Sequence, residues 1–144
     1  MKKDATTAKH IIVYAEDDKD DLELVRDAFG RYDGDIELMH GRDGREALKI
    51  INDLIASHIT PCLIILDINM PGMDGRQTLI QLKQSEHTRE IPVVMFTTSN
   101  SQMDKDFALK WGADFITKPL KFAEVVNLAD DFIKRCNIDI KRKP

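Results

Sequence analysis

No apolar run in this chain approaches the ~20 residues that a membrane-spanning helix needs, so no membrane association is expected. The amino terminus, MKKDATTAKH, carries lysines with no apolar core behind them and does not read as a secretory signal. A cytoplasmic location is the expectation. Cysteine is scarce. Cys62 and Cys136 have no spacing that would build a zinc site. A disulfide between them is not excluded, but without signs of secretion both are expected as thiols. Basic charge does not dominate either: 21 Lys and Arg face 25 Asp and Glu, for a net charge of −4. That balance argues against direct nucleic-acid binding. Internal repeats, low-complexity stretches and interdomain linkers are absent. The 144 residues therefore read as one domain over residues 10–136, with a flexible segment 1–9 before it and a short basic tail 137–144 after it.

What the chain does have is organised around Leu63 to Gly75, LIILDINMPGMDG. Four aliphatic residues run straight into Asp67, and a loop bearing Pro71 and Gly72 follows. An unbroken apolar run closed by turn residues reads as a strand buried on both faces of a parallel sheet. Ligands of such sheets bind outside the carboxyl ends of the strands. Asp67 is thus a carboxylate delivered to the functional edge.

The rest of the chain repeats the pattern. Ile11 to Ala15 is a strand ending in Glu16-Asp17-Asp18, and Asp20-Asp21 open a helix with Leu22, Val25 and Phe29 on one face. Gly30 and Asp33-Gly34 end that helix, and Ile36 to Met39 is a short, more polar edge strand. A second helix carries Leu48, Ile51, Leu54 and Ile55, and a third carries Leu79, Ile80 and Leu82. Val93 to Phe96 is a fourth strand ending at Thr97-Thr98, and a helix over Gln102 to Trp111 follows it. Phe115 to Thr117 is a brief fifth strand before Lys118-Pro119. The last helix has an apolar stripe of Phe122, Val125, Val126, Ala129, Phe132 and Ile133. Strict alternation of strand and helix, five times over, predicts an α/β domain with a parallel sheet and helices on both faces.

Collected at the strand ends are Glu16, Asp17, Asp67, Thr97 and Lys118. Taken singly, each has a plain reading: an exposed acid cluster, a core-edge threonine, a solvated lysine. Taken together they form one chemistry. Clustered carboxylates repel unless a cation neutralises them, and hard oxygen ligands suit Mg²⁺, which commonly uses one or two carboxylates plus a phosphate. Phosphoryl transfer needs an in-line nucleophile and positive charge around the phosphoryl oxygens. Asp67 can be the nucleophile, with Lys118 and Mg²⁺ as the charge and Thr97 as a hydrogen-bond donor.

Glu16-Asp17, DINMPGMDG around Asp67, Thr97-Thr98 and Lys118-Pro119 resemble the motifs of response regulator receiver domains in two-component signalling. Thr97 lies thirty residues and Lys118 fifty-one residues after Asp67, spacings close to those of that family. The resemblance runs from about Lys9 to Arg135 and implies a flavodoxin-like sheet of order 2-1-3-4-5. It also implies that Asp67 takes a phosphoryl group from a sensor histidine kinase or a histidine phosphotransfer protein. Mg²⁺ would be held by Asp17, Asp67, the backbone carbonyl of Asn69 and, through water, Glu16. Thr97 and Lys118 would stabilise the phosphoryl group, with Thr98 and Pro119 beside them. Thr97 and Phe115 would form the switch, and Lys118-Pro119 would be a cis peptide. The details GREAL, HTREIPVVMFTTSN and KPLKF are most similar to single-domain receivers paired with bacterial phytochromes.

On that reading the chain is not an enzyme acting on other substrates. Haloacid-dehalogenase-like phosphatases also use a strand-end Asp with Thr and Lys. They require a second Asp where this chain has Asn69, which cannot transfer the proton. A receiver-like module that never takes phosphate remains the other alternative. With no output domain expected, the signal is expected to leave through helix four, strand five and helix five. The charges Asp104, Asp106, Lys110, Lys121, Glu124, Asp131 and Lys134 would suit a homodimer or a partner there.

Overall fold

The computed structural model describes residues 10–32, 35–119 and 121–136, with the side chains of residues 122, 123, 125 and 126 outside the description. Among the described residues ten elements alternate: β1 (His10–Ala15), α1 (Lys19–Phe29), β2 (Ile36–Gly41), α2 (Gly44–Ala56), β3 (Leu63–Leu66), α3 (Gly75–Gln84), β4 (Val93–Thr97), α4 (Gln102–Lys110), β5 (Asp114–Thr117) and α5 (Phe122–Arg135). The strands form a single sheet of order β2-β1-β3-β4-β5 with every pairing parallel. This is the expected flavodoxin-like arrangement. The segments 1–9 and 137–144, and Asp33-Gly34 at the expected end of the first helix, lie outside the described residues.

The run LIIL shows why an unbroken apolar strand belongs at the centre. Successive side chains of a strand point to opposite faces, and here both faces are covered. Ile64 and Leu66 join Ile11, Val13, Val93 and Met95 in one core under α2 and α3. Leu63 and Ile65 join Ile12, Tyr14, Val94 and Phe96 in the other, against α1 and α5. In the second core Phe132 is stacked on Phe29, ring centroids 6.1 Å apart, and meets Phe96 edge-on at 5.4 Å. Of the expected apolar stripe on the last helix, Ala129, Phe132 and Ile133 are buried. The side chains of Phe122, Val125 and Val126 lie outside the description.

Two sequence expectations shift. β2 continues past Met39 to Gly41, because its pairing with β1 extends to Ala15 opposite Gly41 and Glu16 N–H donates to the Gly41 carbonyl at 2.9 Å. The cysteines, expected as thiols, are joined as a disulfide between the approach to β3 and the end of α5. The crossovers of the fold bring the two positions to a Cα separation of 4.8 Å although they are 74 positions apart in sequence.

Candidate functional site

The site is built by backbone ladders that continue one residue past the strand ends. Asp67 N–H donates to the Ala15 carbonyl at 3.1 Å, fixing Asp67 beside the Glu16-Asp17 pair. Lys118 N–H donates to the Thr97 carbonyl at 2.7 Å, which places the lysine at the end of β5. Behind Asp67 the loop turns through Gly72, whose φ of 70° lies in the left-handed region that favours glycine. The loop then enters α3 at Gly75, whose N–H returns to the Ile68 carbonyl at 3.0 Å. Asp74 caps that helix through a reciprocal capping box with Gln77. The nucleophile candidate is thus held by a strand on one side and a capped helix on the other.

Glu16 is buried, with 1% of its surface exposed. Its Oε1 accepts from the Tyr14 hydroxyl at 2.7 Å and from Lys118 Nζ at 2.7 Å, and its Oε2 from Asp18 N–H at 3.2 Å. The same ammonium reaches Asp21 Oδ2 at 2.8 Å and Asp67 Oδ2 at 3.4 Å. Burial pushes the Glu16 carboxyl up to about 7, against the opposing pull of Lys118. Burial would lower the Lys118 ammonium, yet its hydrogen bonds to Asp21 and Glu16 and the Asp67 charge hold it above the ordinary lysine value. The Tyr14 hydroxyl, raised by burial and then by the Glu16 charge, stays protonated and donates.

Oxygen atoms of Glu16, Asp17 and Asp67 lie within 4.8 Å of one another. Three carboxylate oxygens gathered at that spacing could hold a divalent metal ion, and hard oxygen donors suit Mg²⁺. Asp17 and Asn69 are exposed, as groups meeting an ion that keeps some of its water would be. Asp18 does something different. It is the N-cap of α1, its Oδ1 accepting from Asp20 N–H at 2.8 Å and Asp21 N–H at 3.1 Å. Asp17→Asn is therefore expected to weaken Mg²⁺ binding by about tenfold, the scale of one lost charge–charge interaction. Asp18→Asn, which keeps a capping oxygen, is expected to change it less than about twofold. Calorimetric titration of Mg²⁺ into both variants checks this, and a larger loss for Asp18→Asn would show the metal acids misassigned.

Not every expected site residue joins the cluster. Thr97 is fully buried, and its Oγ1 accepts from Ser99 N–H at 3.2 Å. Thr98 is exposed, and Phe115 is half-buried against the core that contains Met95, its register neighbour on β4. No described peptide bond is cis, so Lys118-Pro119 is trans here, contrary to expectation. The two isomers of such a bond differ by only ~0.5–1 kcal/mol. Asp104, expected as a face charge, is 6% exposed and turned inward. It accepts from Ser99 Oγ at 2.5 Å and pairs with Arg76 of α3; the Ser99 hydrogen bond first, and then Arg76, hold its carboxyl below the usual range. Asp131 pairs with Arg135 at 2.7 Å, and Arg135 also reaches Asp114.

Three contributors were not singled out from sequence. Tyr14 had a usable signal, since strand periodicity puts residues 14 and 16 on one face. Asp21 reads in sequence as a helix-opening acid, and only the fold brings Lys118 to it. In the Arg76–Asp104–Ser99 brace, Ser99 meets Asp104 locally at the start of α4, but Arg76 reaches it only through tertiary packing and had no signal.

The receiver-domain family profile, described as the response regulator receiver domain, matches residues 12–130. Response regulator Rcp1 of Synechocystis is 35% identical over 103 residues, covering 70% of each chain. A transcriptional regulatory protein of Bacillus subtilis, YrkP, is 32% identical over 115 residues, covering 79% of this chain and 45% of its own length. This chain therefore spans about half the length of that relative. Among solved structures, the phosphorylated cyanobacterial phytochrome response regulator RcpA superposes with a TM-score of 0.81 at 26% identity, covering 92% of this chain and 99% of RcpA. The Mn²⁺-bound form of Rcp1 gives 0.74 at 29% identity, covering 85% and 90%. The matched profile spans the carboxylates, the lysine and the sheet that presents them, and the chain belongs to the response regulator receiver family of two-component signalling proteins.

Proposed function

We propose that this receiver is a phosphoacceptor: Asp67 takes a phosphoryl group from the phosphohistidine of a sensor histidine kinase or histidine phosphotransfer protein. The observation that carries the reading is the Lys118 ammonium lying 3.4 Å from Asp67 Oδ2 at the edge where three carboxylates converge. An Asp67 oxygen attacks phosphorus in line. The P–N bond breaks, and the imidazole nitrogen keeps the electron pair and takes its proton from solvent. Lys118 donates hydrogen bonds to a phosphoryl oxygen and keeps its own proton. Glu16, held by Tyr14, anchors the lysine throughout. Mg²⁺ would be held by Asp17, Asp67 and the Asn69 carbonyl, and through water by Glu16, and would supply further positive charge. Supporting this, one similar receiver is described as phosphorylated and another as Mn²⁺-bound. Incubation with acetyl phosphate and Mg²⁺ should add a single phosphoryl group, read by intact mass. A chain that stays unmodified overturns the reading in favour of a module that never takes phosphate.

We read the role as signalling rather than enzymatic on other substrates, with a cytoplasmic place beside the kinase. Among the described residues no helix is long and apolar enough to cross a membrane. We assign output to α4, β5 and α5. Met103 and Leu109 on α4 are 79% exposed, and of α4 only Asp104 and Ala108 are buried. A helix held so lightly opens at low cost. The Thr97 hydroxyl turning toward the phosphoryl group would give up its bond from Ser99 N–H, and Ser99 in turn holds Asp104. Phe115 borders the same face. With beryllofluoride and Mg²⁺, amide exchange in α4 is expected to change by about fivefold or more, for a coupling of ~1–3 kcal/mol. Exchange indifferent to beryllofluoride there would remove the assignment, and sedimentation separates a homodimer from a docked partner.

A further inference from the structure

We propose that Asp21 is a positioning residue that competes with the phosphoryl group for Lys118 and so weakens the phosphorylated state. The inference rests on the phosphoacceptor reading of Asp67. An ammonium has three N–H donors, and here all three are committed, to Glu16 at 2.7 Å, Asp21 at 2.8 Å and Asp67 at 3.4 Å. The Asp67 contact is the longest of the three, so an ammonium that closes on a phosphoryl oxygen there must draw away from one of its two shorter partners.

Glu16 is the wrong one to release. Its side chain has no exposed surface, and leaving it without its cation would strand a buried charge. The Asp67 contact is the one the phosphoryl group itself replaces or extends. Asp21 remains. Its carboxylate is 32% exposed, and water can take the place of the ammonium. Beside the pair lies a cavity of about 20 Å³ lined by Asp21, Leu24, Val25, Phe96, Lys118 and Pro119. That is room for one water molecule with polar partners on two sides. The structure thus holds Lys118 closer to α1 than to the nucleophile, and phosphorylation draws it away.

Loss of the phosphoryl group occurs when water attacks phosphorus. The P–O bond to Asp67 breaks, the carboxylate keeps the electron pair, and inorganic phosphate leaves with the proton given up by the water. Whatever pulls Lys118 back toward Asp21 weakens the phosphorylated ground state. An acid at position 21 accordingly destabilises it relative to an amide.

Beryllofluoride affinity at saturating Mg²⁺, read by fluorine NMR, tests this directly. Asp21→Asn is expected to bind about 3- to 10-fold more tightly than wild type, the range for a partly buried ion pair. Asp21→Glu, which keeps the acid, should return to the wild-type value. Asp20→Asn makes the same change of charge one residue away without touching Lys118 and should stay within about twofold of wild type. Equal or weaker binding by Asp21→Asn, or an equal gain in Asp20→Asn, overturns the proposal while leaving the phosphoacceptor reading intact. Wild-type protein that takes no beryllofluoride would remove both.

Discussion

Asp67→Ala is expected to take up no phosphoryl group from acetyl phosphate and Mg²⁺, a loss of at least ~10³-fold in rate, as when a covalent nucleophile is deleted. No neighbouring carboxylate can substitute. Glu16 Oε1 already accepts from Tyr14 and Lys118, and Glu16 Oε2 from Asp18 N–H, so neither of its oxygens is free to attack. Asp17 is exposed, and no hydrogen bond ties it to the lysine. Asp18 is spent on the cap of α1. Asp67 alone combines a rigid strand end, 6% exposure and a lysine close enough to follow the phosphoryl oxygens. The variant should also fold well. Removing one acid from a repelling cluster relieves charge, and Lys118 keeps its two shorter partners. Intact mass spectrometry with a thermal melt as control checks both halves. Phosphate retained by a well-folded Asp67→Ala protein would place the nucleophile elsewhere.

Much of this was legible in the amino-acid sequence, for physical reasons that can be named. Strands buried on both faces must be apolar throughout, so LIIL and VVMF announce the centre of a parallel sheet without any pairing being visible. Polar residues that stop such runs abruptly lie at the carboxyl edge by topology, which is how Glu16, Asp17, Asp67, Thr97 and Lys118 could be collected. Contacts between elements were not legible. Lys118 was readable as a cation for Asp67, but the structure gives its shorter bonds to Glu16 and Asp21. Asp104 looked like a surface charge because α4 is polar on most of its turns, whereas Arg76 and Ser99 turn it inward. The pairing of Cys62 with Cys136 depends on where α5 ends against the start of β3, a distance that no local pattern encodes.

Gly75 supplies the other large effect, because at this position the fold and the chemistry meet in one close approach. A Cβ at residue 75 would lie 2.2 Å from the Asp67 carbonyl oxygen and 2.9 Å from both the Asp67 carbonyl carbon and the Ile68 Cα. All three are main-chain atoms, so no rotamer change relieves the clash. The Gly75 N–H also donates to the Ile68 carbonyl at 3.0 Å, tying the start of α3 to the same short segment. To admit a methyl group, either the capped first turn of α3 must withdraw or the Asp67–Ile68 backbone must shift by about 1 Å, to reach ordinary contact distance. Overpacking of this kind costs about 1–3 kcal/mol, more when backbone is involved. A displacement of about that size at a reacting group is worth roughly 10²-fold in rate. Gly75→Ala is therefore expected to lose about 2–3 kcal/mol of stability by denaturant titration and between ~10- and 100-fold in phosphorylation rate from acetyl phosphate. Gly30→Ala is the control: the same methyl group there would meet only the Arg26 and Asp27 carbonyls, at 3.4 Å, and φ is −63°. That variant should match wild type in phosphorylation and stay within about 1 kcal/mol of it in stability. If Gly75→Ala matched wild type in both measurements, the loop carrying Asp67 would be free to yield, and α3 could not be what holds the nucleophile in place.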